Sequence, residues 1–152
     1  LRAAVDNGAD VVYIGFRDGG TNARNFPGLN FSHKQAVRGI DYAHARGCKV
    51  FLALNTYPGP ASWAQATKAV DAAARLAVDA VILADPGLLH YCRQSHPELR
   101  LHLSVQGSAT NLEAIRFYRE QFGIERVVLP RVLSLTQVER LTANAPVEVE
   151  VF

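Results

Sequence analysis

A chain of 152 residues that is 49% hydrophobic and 20% charged has the composition of a folded domain, not of a disordered segment. Lys and Arg total 16 against 14 Asp and Glu, a formal charge of +2, which argues against bulk electrostatic binding of nucleic acid. No window is a long apolar membrane span, no secretion signal is visible, and two cysteines, Cys48 and Cys92, cannot make a disulfide framework, so a cytoplasmic setting is expected.

In chain order, Leu1–Asn7 reads as the end of a helix entered midway, and the chain has no methionine. Residues 1–152 are therefore expected to be the N-terminal part of a longer domain. Short β-branched runs then alternate with amphipathic ones. The predicted strands are Val11–Phe16, Lys49–Leu54, Ala80–Ala84, Leu101–Val105, Arg126–Leu129 and Val147–Val151. Between them fall predicted helices at His33–Arg46, Ser62–Leu76, Gly87–Ser95, Leu112–Phe122 and Leu135–Ala143. Ser32, Ser62, Asp85, Thr110 and Ser134 sit where N-caps belong, and Gly47 and Gly123 where helices stop. Strict alternation implies a parallel sheet, since crossover helices join parallel neighbours. The expected fold is α/β, an incomplete (β/α)8 TIM-barrel-like parallel barrel. An open doubly wound sheet is the weaker alternative. Gly15, Gly19 and Gly20 fit neither a dinucleotide fingerprint nor a phosphate loop.

Function in such folds gathers where strands end. Those ends carry Gly15 with the loop Arg17–Asn30, then Asn55, Asp85, Gln106, Arg131 and Glu150. Period-two alternation puts Leu101, Leu103 and Val105 on one face and His102, Ser104 and Gln106 on the other. The polar face should point into the barrel, where such groups must pair or bind something. Plainer readings stand beside these. Asp85 before Pro86 can be a helix cap, Arg131 and Glu150 a structural ion pair, Glu148 a paired carboxylate, and His102 a satisfied core histidine. His33, His44, His90 and His96 lack metal-ligand spacing, and both cysteines read as inert thiols. Asn30-Phe31-Ser32 matches a glycosylation acceptor by sequence alone. A self-contained hydrolase built on Ser104, His102 and Asp85 is disfavoured, because residues two apart on one strand rarely make a nucleophile–base contact.

Several blocks together carry a family likeness. Asn7-Gly-Ala-Asp-Val-Val-Tyr-Ile-Gly15, Asn55-Thr56, Asp79-Ala-Val-Ile-Leu-Ala-Asp85, His102-Leu-Ser-Val-Gln106, Asn111 and Val127-Val-Leu-Pro-Arg131-Val-Leu-Ser134 resemble the collagenase-like peptidases of unknown catalytic type, peptidase family U32. Glu150-Val151-Phe152 matches the opening of that family's signature, which continues through a glycine to two cysteines. Thr21-Asn-Ala-Arg24-Asn-Phe-Pro-Gly-Leu-Asn30-Phe31 is most similar to the ubiquinone-biosynthesis branch. So are Ser104-Val-Gln-Gly-Ser-Ala-Thr-Asn111 and Leu129-Pro-Arg131-Val-Leu-Ser134; RNA-hydroxylating relatives more often carry Arg-Glu-Leu-Ser at the last of these.

The resemblance implies one subunit of an oxygen-independent hydroxylase acting on a ubiquinone precursor beside a UbiV-like sibling. It implies a 4Fe–4S cluster on four cysteines beyond Phe152, so no metal ligand within this chain, and prephenate as oxygen donor. Under that likeness Arg24 and Arg131 are candidates to hold carboxylates in bidentate fashion. Asn55, Asp85, Gln106 and Asn111 are candidate substrate-binding residues. Glu150 is expected to position Arg131 or assist a proton transfer, which makes Glu150 and Arg131 the catalytic candidates. The alternatives are an RNA-hydroxylating relative and a collagenase-like peptidase.

Overall fold

The computed structural model describes every residue except Gly19, Asn25 and Pro27. Gly19 of the glycine pattern and two positions of the Thr21–Phe31 block therefore lie outside the described residues. The strands are β1 (Val11–Ile14), β2 (Lys49–Leu54), β3 (Ala80–Leu83), β4 (Leu101–Leu103), β5 (Arg126–Val128) and β6 (Glu148–Glu150), all parallel and hydrogen-bonded in sequence order. The helices are α1 (Arg2–Asp6), α2 (His33–His44), α3 (Trp63–Arg75), α4 (Pro86–Ser95), α5 (Leu112–Phe122) and α6 (Leu135–Asn144). Neighbour following neighbour without a reversal of order is a curled half-barrel. The expected incomplete barrel is what forms.

Register explains why the strands read as nearly continuous apolar runs. Leu54, Leu83, Leu103, Val127 and Val149 lie in one row across β2 to β6, and that row packs into the main core under the helices. The opposite face carries Ala53, Ile82, His102, Arg126 and Glu148 in a second row. Polar residues thus enter the barrel interior from β4 onward, as the alternation predicts. Helix α3 contributes Ala66, Ala69, Val70 and Ala73 to the core, small side chains that let it lie close on the sheet.

The helix starts follow their capping chemistry. Ser32 with Gln35 and Ser134 with Gln137 form reciprocal capping boxes on α2 and α6. At α5 the cap is Asn111, not Thr110: its side-chain oxygen accepts the Ala114 N–H at 2.9 Å. Ser62 precedes α3 but makes no cap bond, and its hydroxyl donates to the Gly59 carbonyl instead. Helix α5 ends at Gly123, whose φ of +67° suits glycine, and Arg93 of α4 donates to the carbonyls of Phe122, Gly123 and Pro97 at 2.9, 3.0 and 2.8 Å. Strand β4 stops at Leu103 and gives way to a 3-10 turn over Val105–Gly107, two residues short of the predicted end. The Ser104 side chain accepts the Gln106 N–H at 3.2 Å, a local bond that diverts the backbone from the sheet. No helix among the described residues is long and apolar enough to cross a membrane.

Candidate functional site

The segment after β1 turns back and seats itself on the strand ends. Phe31 donates its N–H to the Gly15 carbonyl and accepts from Arg17 N–H, both at 2.9 Å, forming a one-residue bridge between Phe16 and Phe31. The Asp18 carboxylate accepts from the Gly20 and Thr21 N–H groups and the Thr21 hydroxyl. Asn22 is buried against Gly15, where a Cβ would stand 1.7 Å from the Asn22 Nδ2. Glycine at 15 is therefore a requirement of close approach. Asn30 is 8% exposed, so its glycosylation triplet is folded out of reach.

Three consecutive residues after β2 hold this mouth together. The Asn55 side-chain oxygen accepts the Ala23 N–H at 3.0 Å, the Thr56 hydroxyl donates to the Gly20 carbonyl at 2.6 Å, and the Tyr57 hydroxyl donates to the Gln106 carbonyl at 2.7 Å.

Inside the rim lies a cavity of roughly 320 Å³. Its walls are apolar and aromatic, including Ala53, Ile82, Val128, Phe26, Phe31 and Phe152. Arg24, Asn55, Gln106 and Glu150 line the same space, so four of the seven predicted site residues converge there. Arg24 also donates toward the Tyr13 hydroxyl at 3.5 Å. The other three do not line it. Asp85 accepts the Leu88 N–H at 2.9 Å as the cap of α4, and Asn111 caps α5 in the same way. Arg131 lies on the surface with its guanidinium 5.8 Å from the centre of the Phe152 ring, at the cavity's edge.

The expected Arg131–Glu150 pairing does not form. Glu150 takes Arg126 instead, at 3.0 Å from Nη1, while the Nε and Nη2 of Arg126 donate to Glu148 at 2.9 and 2.7 Å. Register is the reason: Arg126 faces Glu148 directly across β5 and β6 on the interior side, whereas Arg131 lies beyond the sheet. The ladder continues, since Arg100 bridges Glu125 at 2.8 Å and Glu148 at 3.9 Å. These arginines lower the Glu148 pKa, chiefly through the Arg126 hydrogen bond. Sequence reasoning missed Arg126, though its two-residue offset from inward Val128 is a signal for the interior face.

His102 is buried, as a core histidine should be, but it is not satisfied. It is 1% exposed, its ring meets Phe51 edge-on at 4.6 Å, and among the described residues neither ring nitrogen has a hydrogen-bond partner. Burial, with Arg126 and Arg100 nearby, pushes its pKa down to about 4. Ser104 and His102 therefore make no nucleophile–base pair. His44 and His96 are tied to Asp79 and Asp71 at 2.8 Å each.

The two cysteines do not fit a metal cluster. Both are buried in the core between helices and sheet, and burial raises the thiol pKa of Cys48 and drives that of Cys92 up to about 12. Protonated thiols are poor ligands. No group of three or more His, Cys, Asp or Glu suited to a metal occurs among the described residues.

Known proteins resemble this chain in sequence and in fold. A tRNA hydroxylation protein P of Escherichia coli (strain K12) is 35% identical over 153 residues, covering 100% of this chain and 33% of that protein. An uncharacterized protease of Methanocaldococcus jannaschii is 35% identical over 144 residues, covering 95% of this chain and 34% of its own length. A collagenase of Porphyromonas gingivalis is 32% identical over 141 residues, 93% of this chain and 33% of that protein. The chain thus spans about a third of the length of the curated relatives it matches. Among solved structures, a U32 peptidase superposes with TM-score 0.75 at 21% identity, over 99% of this chain and 64% of that one. The lysine-bound DHDPS of Cyanidioschyzon merolae superposes with TM-score 0.62 at 13% identity, over 94% and 51%. At such identities these two speak for the fold alone. The sequence signature described as Peptidase family U32 matches residues 1–152, and the chain belongs to that family.

Proposed function

We propose that residues 1–152 are the N-terminal part of a barrel that serves an oxygen-independent hydroxylase, and that the small-molecule site of that enzyme is the cavity at the strand ends. The observation that carries this reading is the presence of Arg24 and Glu150 in the lining of one largely apolar cavity. A guanidinium offers a forked contact to a carboxylate, while a carboxylate accepts a donor or a proton. Apolar walls around them suit a small ring. The hydroxylation named in several relatives supports the reaction class.

The substrate we infer is a ubiquinone precursor, with a UbiV-like sibling as partner and prephenate as oxygen donor. The support is the likeness of Thr21–Phe31, Ser104–Asn111 and Leu129–Ser134 to the ubiquinone-biosynthesis branch. In this reading the 4Fe–4S cluster belongs to cysteines outside this chain, in keeping with the inert character of Cys48 and Cys92. The chain's own residues bind and orient: Arg24 and Arg131 hold carboxylates, Asn55 and Gln106 direct polar groups, and Glu150 holds or moves a proton.

A second reading, hydroxylation of tRNA, is favoured by the names of the relatives. Exposed Phe26, Tyr57 and Phe152 beside Arg24 and Arg131 would then offer stacking and charge to unpaired bases. A hydrolase built on Ser104 and His102 is disfavoured, because neither ring nitrogen of His102 has a hydrogen-bond partner among the described residues.

The test is a deletion strain grown without oxygen and complemented with the full-length protein, Arg24→Ala or Arg131→Ala. Ubiquinone is measured in lipid extracts and hydroxylated nucleosides in tRNA digests. Restoration of ubiquinone by the wild type and its loss in both variants is the expected result. Intact ubiquinone in both variants refutes their roles, and restored tRNA hydroxylation with unchanged ubiquinone replaces the first reading by the second.

A further inference from the structure

Glu150 reaches the cavity from β6, and one of its oxygens is already spoken for. Oε2 receives Arg126 Nη1 at 3.0 Å, and the Glu150 side chain is 28% exposed. Arg126 is fixed in turn from three directions. Its Nε and Nη2 fork onto the Glu148 Oε2, its guanidinium lies 5.4 Å from the Phe51 ring centre, and it sits in register beside buried His102. A guanidinium held by a fork, an aromatic face and a buried neighbour has little freedom of its own. The Glu150 carboxylate therefore inherits a fixed direction from the barrel floor.

We propose that Arg126 is a positioning residue of the cavity, holding Glu150 as an oriented carboxylate with its second oxygen free for a hydrogen-bond donor on the ligand. This rests on the reading of the cavity as the reaction site. It makes Arg126, and not Arg131, the cationic partner of Glu150. Glu148 completes the guanidinium's anchorage without lining the cavity.

The experiment uses the full-length protein in the anaerobic complementation assay, with Arg126→Gln, Arg126→Lys, Glu148→Gln, Glu150→Gln and the double variant Arg126→Gln/Glu150→Gln. Hydroxylated product is measured in extracts, melting temperatures are recorded, and crystal structures of both Arg126 variants are determined. Arg126→Gln and Glu150→Gln should each lower product on the order of tenfold or more, as expected of a misplaced reacting group. The double variant should fall no further than Glu150→Gln alone, because both changes remove one function. Arg126→Lys should recover part of the product, since the charge remains and the fork does not. Glu148→Gln should lose less product than Arg126→Gln, because the guanidinium still reaches Glu150. In the Arg126→Gln structure the Glu150 carboxylate should turn away from its present direction.

A Glu150 that keeps its place without Arg126 overturns the proposal. So do additive losses in the double variant, or a Glu148→Gln variant as impaired as Arg126→Gln at equal melting temperature. Should Arg126→Gln fail to fold, the Arg126→Lys structure and product level decide by the same criteria. Absence of product from the wild type would sink the hydroxylase reading, and the position of Glu150 in the variant structures would still decide the role of Arg126.

Discussion

Replacing His102 by phenylalanine should make the protein more resistant to acid. In the fold the imidazole pKa falls from 6.5 to about 4, with burial the first cause and the charge of Arg126 the second. The unfolded chain therefore takes up a proton on His102 as pH drops through 6.5, while the folded chain does not until near pH 4. Stability from this residue is fully present above pH 6.5 and lost progressively down to pH 4. With those two midpoints, the loss between pH 7.5 and pH 5 is about 2 kcal/mol, approaching about 3 kcal/mol near pH 4. Phenylalanine keeps the ring packed on Phe51 and removes two unpaired buried nitrogens, each worth roughly 1–3 kcal/mol when left unsatisfied. Urea denaturation of the full-length wild type and His102→Phe at pH 7.5 and pH 5 measures both effects. The variant should be at least as stable at pH 7.5 and should lose about 2 kcal/mol less on going to pH 5. Parallel pH dependences of the two proteins would refute a neutral, unpaired His102.

Further outcomes follow from the same contacts. Asn111→Ala and Asp85→Ala each remove a helix cap and should cost about 1 kcal/mol by denaturation. If capping is all these residues do, product in the anaerobic assay stays at the wild-type level, and a drop beyond the stability loss marks direct substrate contact. Gly15→Ala places a methyl group against Asn22 and should destabilise by about 1–3 kcal/mol, with faster amide exchange over residues 20–24. Unchanged exchange there would mean that Asn22 can move aside freely. Arg93→Ala frees the carbonyls of Phe122, Gly123 and Pro97 and should lower the melting temperature, with the largest gain in hydrogen exchange at the end of α5.

Much of this architecture was legible because it rests on short-range rules. Alternation along β4 located the helix-facing Leu101 and Leu103 and the inward His102, and Ser32 and Ser134 marked two helix starts. What could not be read depends on register between strands. Alternation along β5 can put Arg126 on the interior face, but its pairing with Glu150 follows from which residue of β5 lies opposite Glu148. The loop after β1 was recognised as important, yet its course depends on contacts with Gly15, Asn55 and Gln65, up to 47 positions distant in sequence. His102 was expected to be a satisfied core residue. Pattern predicts that a side chain is buried, not whether its polar atoms find partners.

The clasp formed by Asn55, Thr56 and Tyr57 bears on how specificity in such a barrel can change. Each of these residues is bonded to a different stretch of backbone, at Ala23, Gly20 and Gln106. Grafting the β1 loop of one relative onto another would bring new side chains to the cavity and leave their moorings behind. A working chimera should need the β2 loop transplanted with it, so the two segments form a single unit of inheritance.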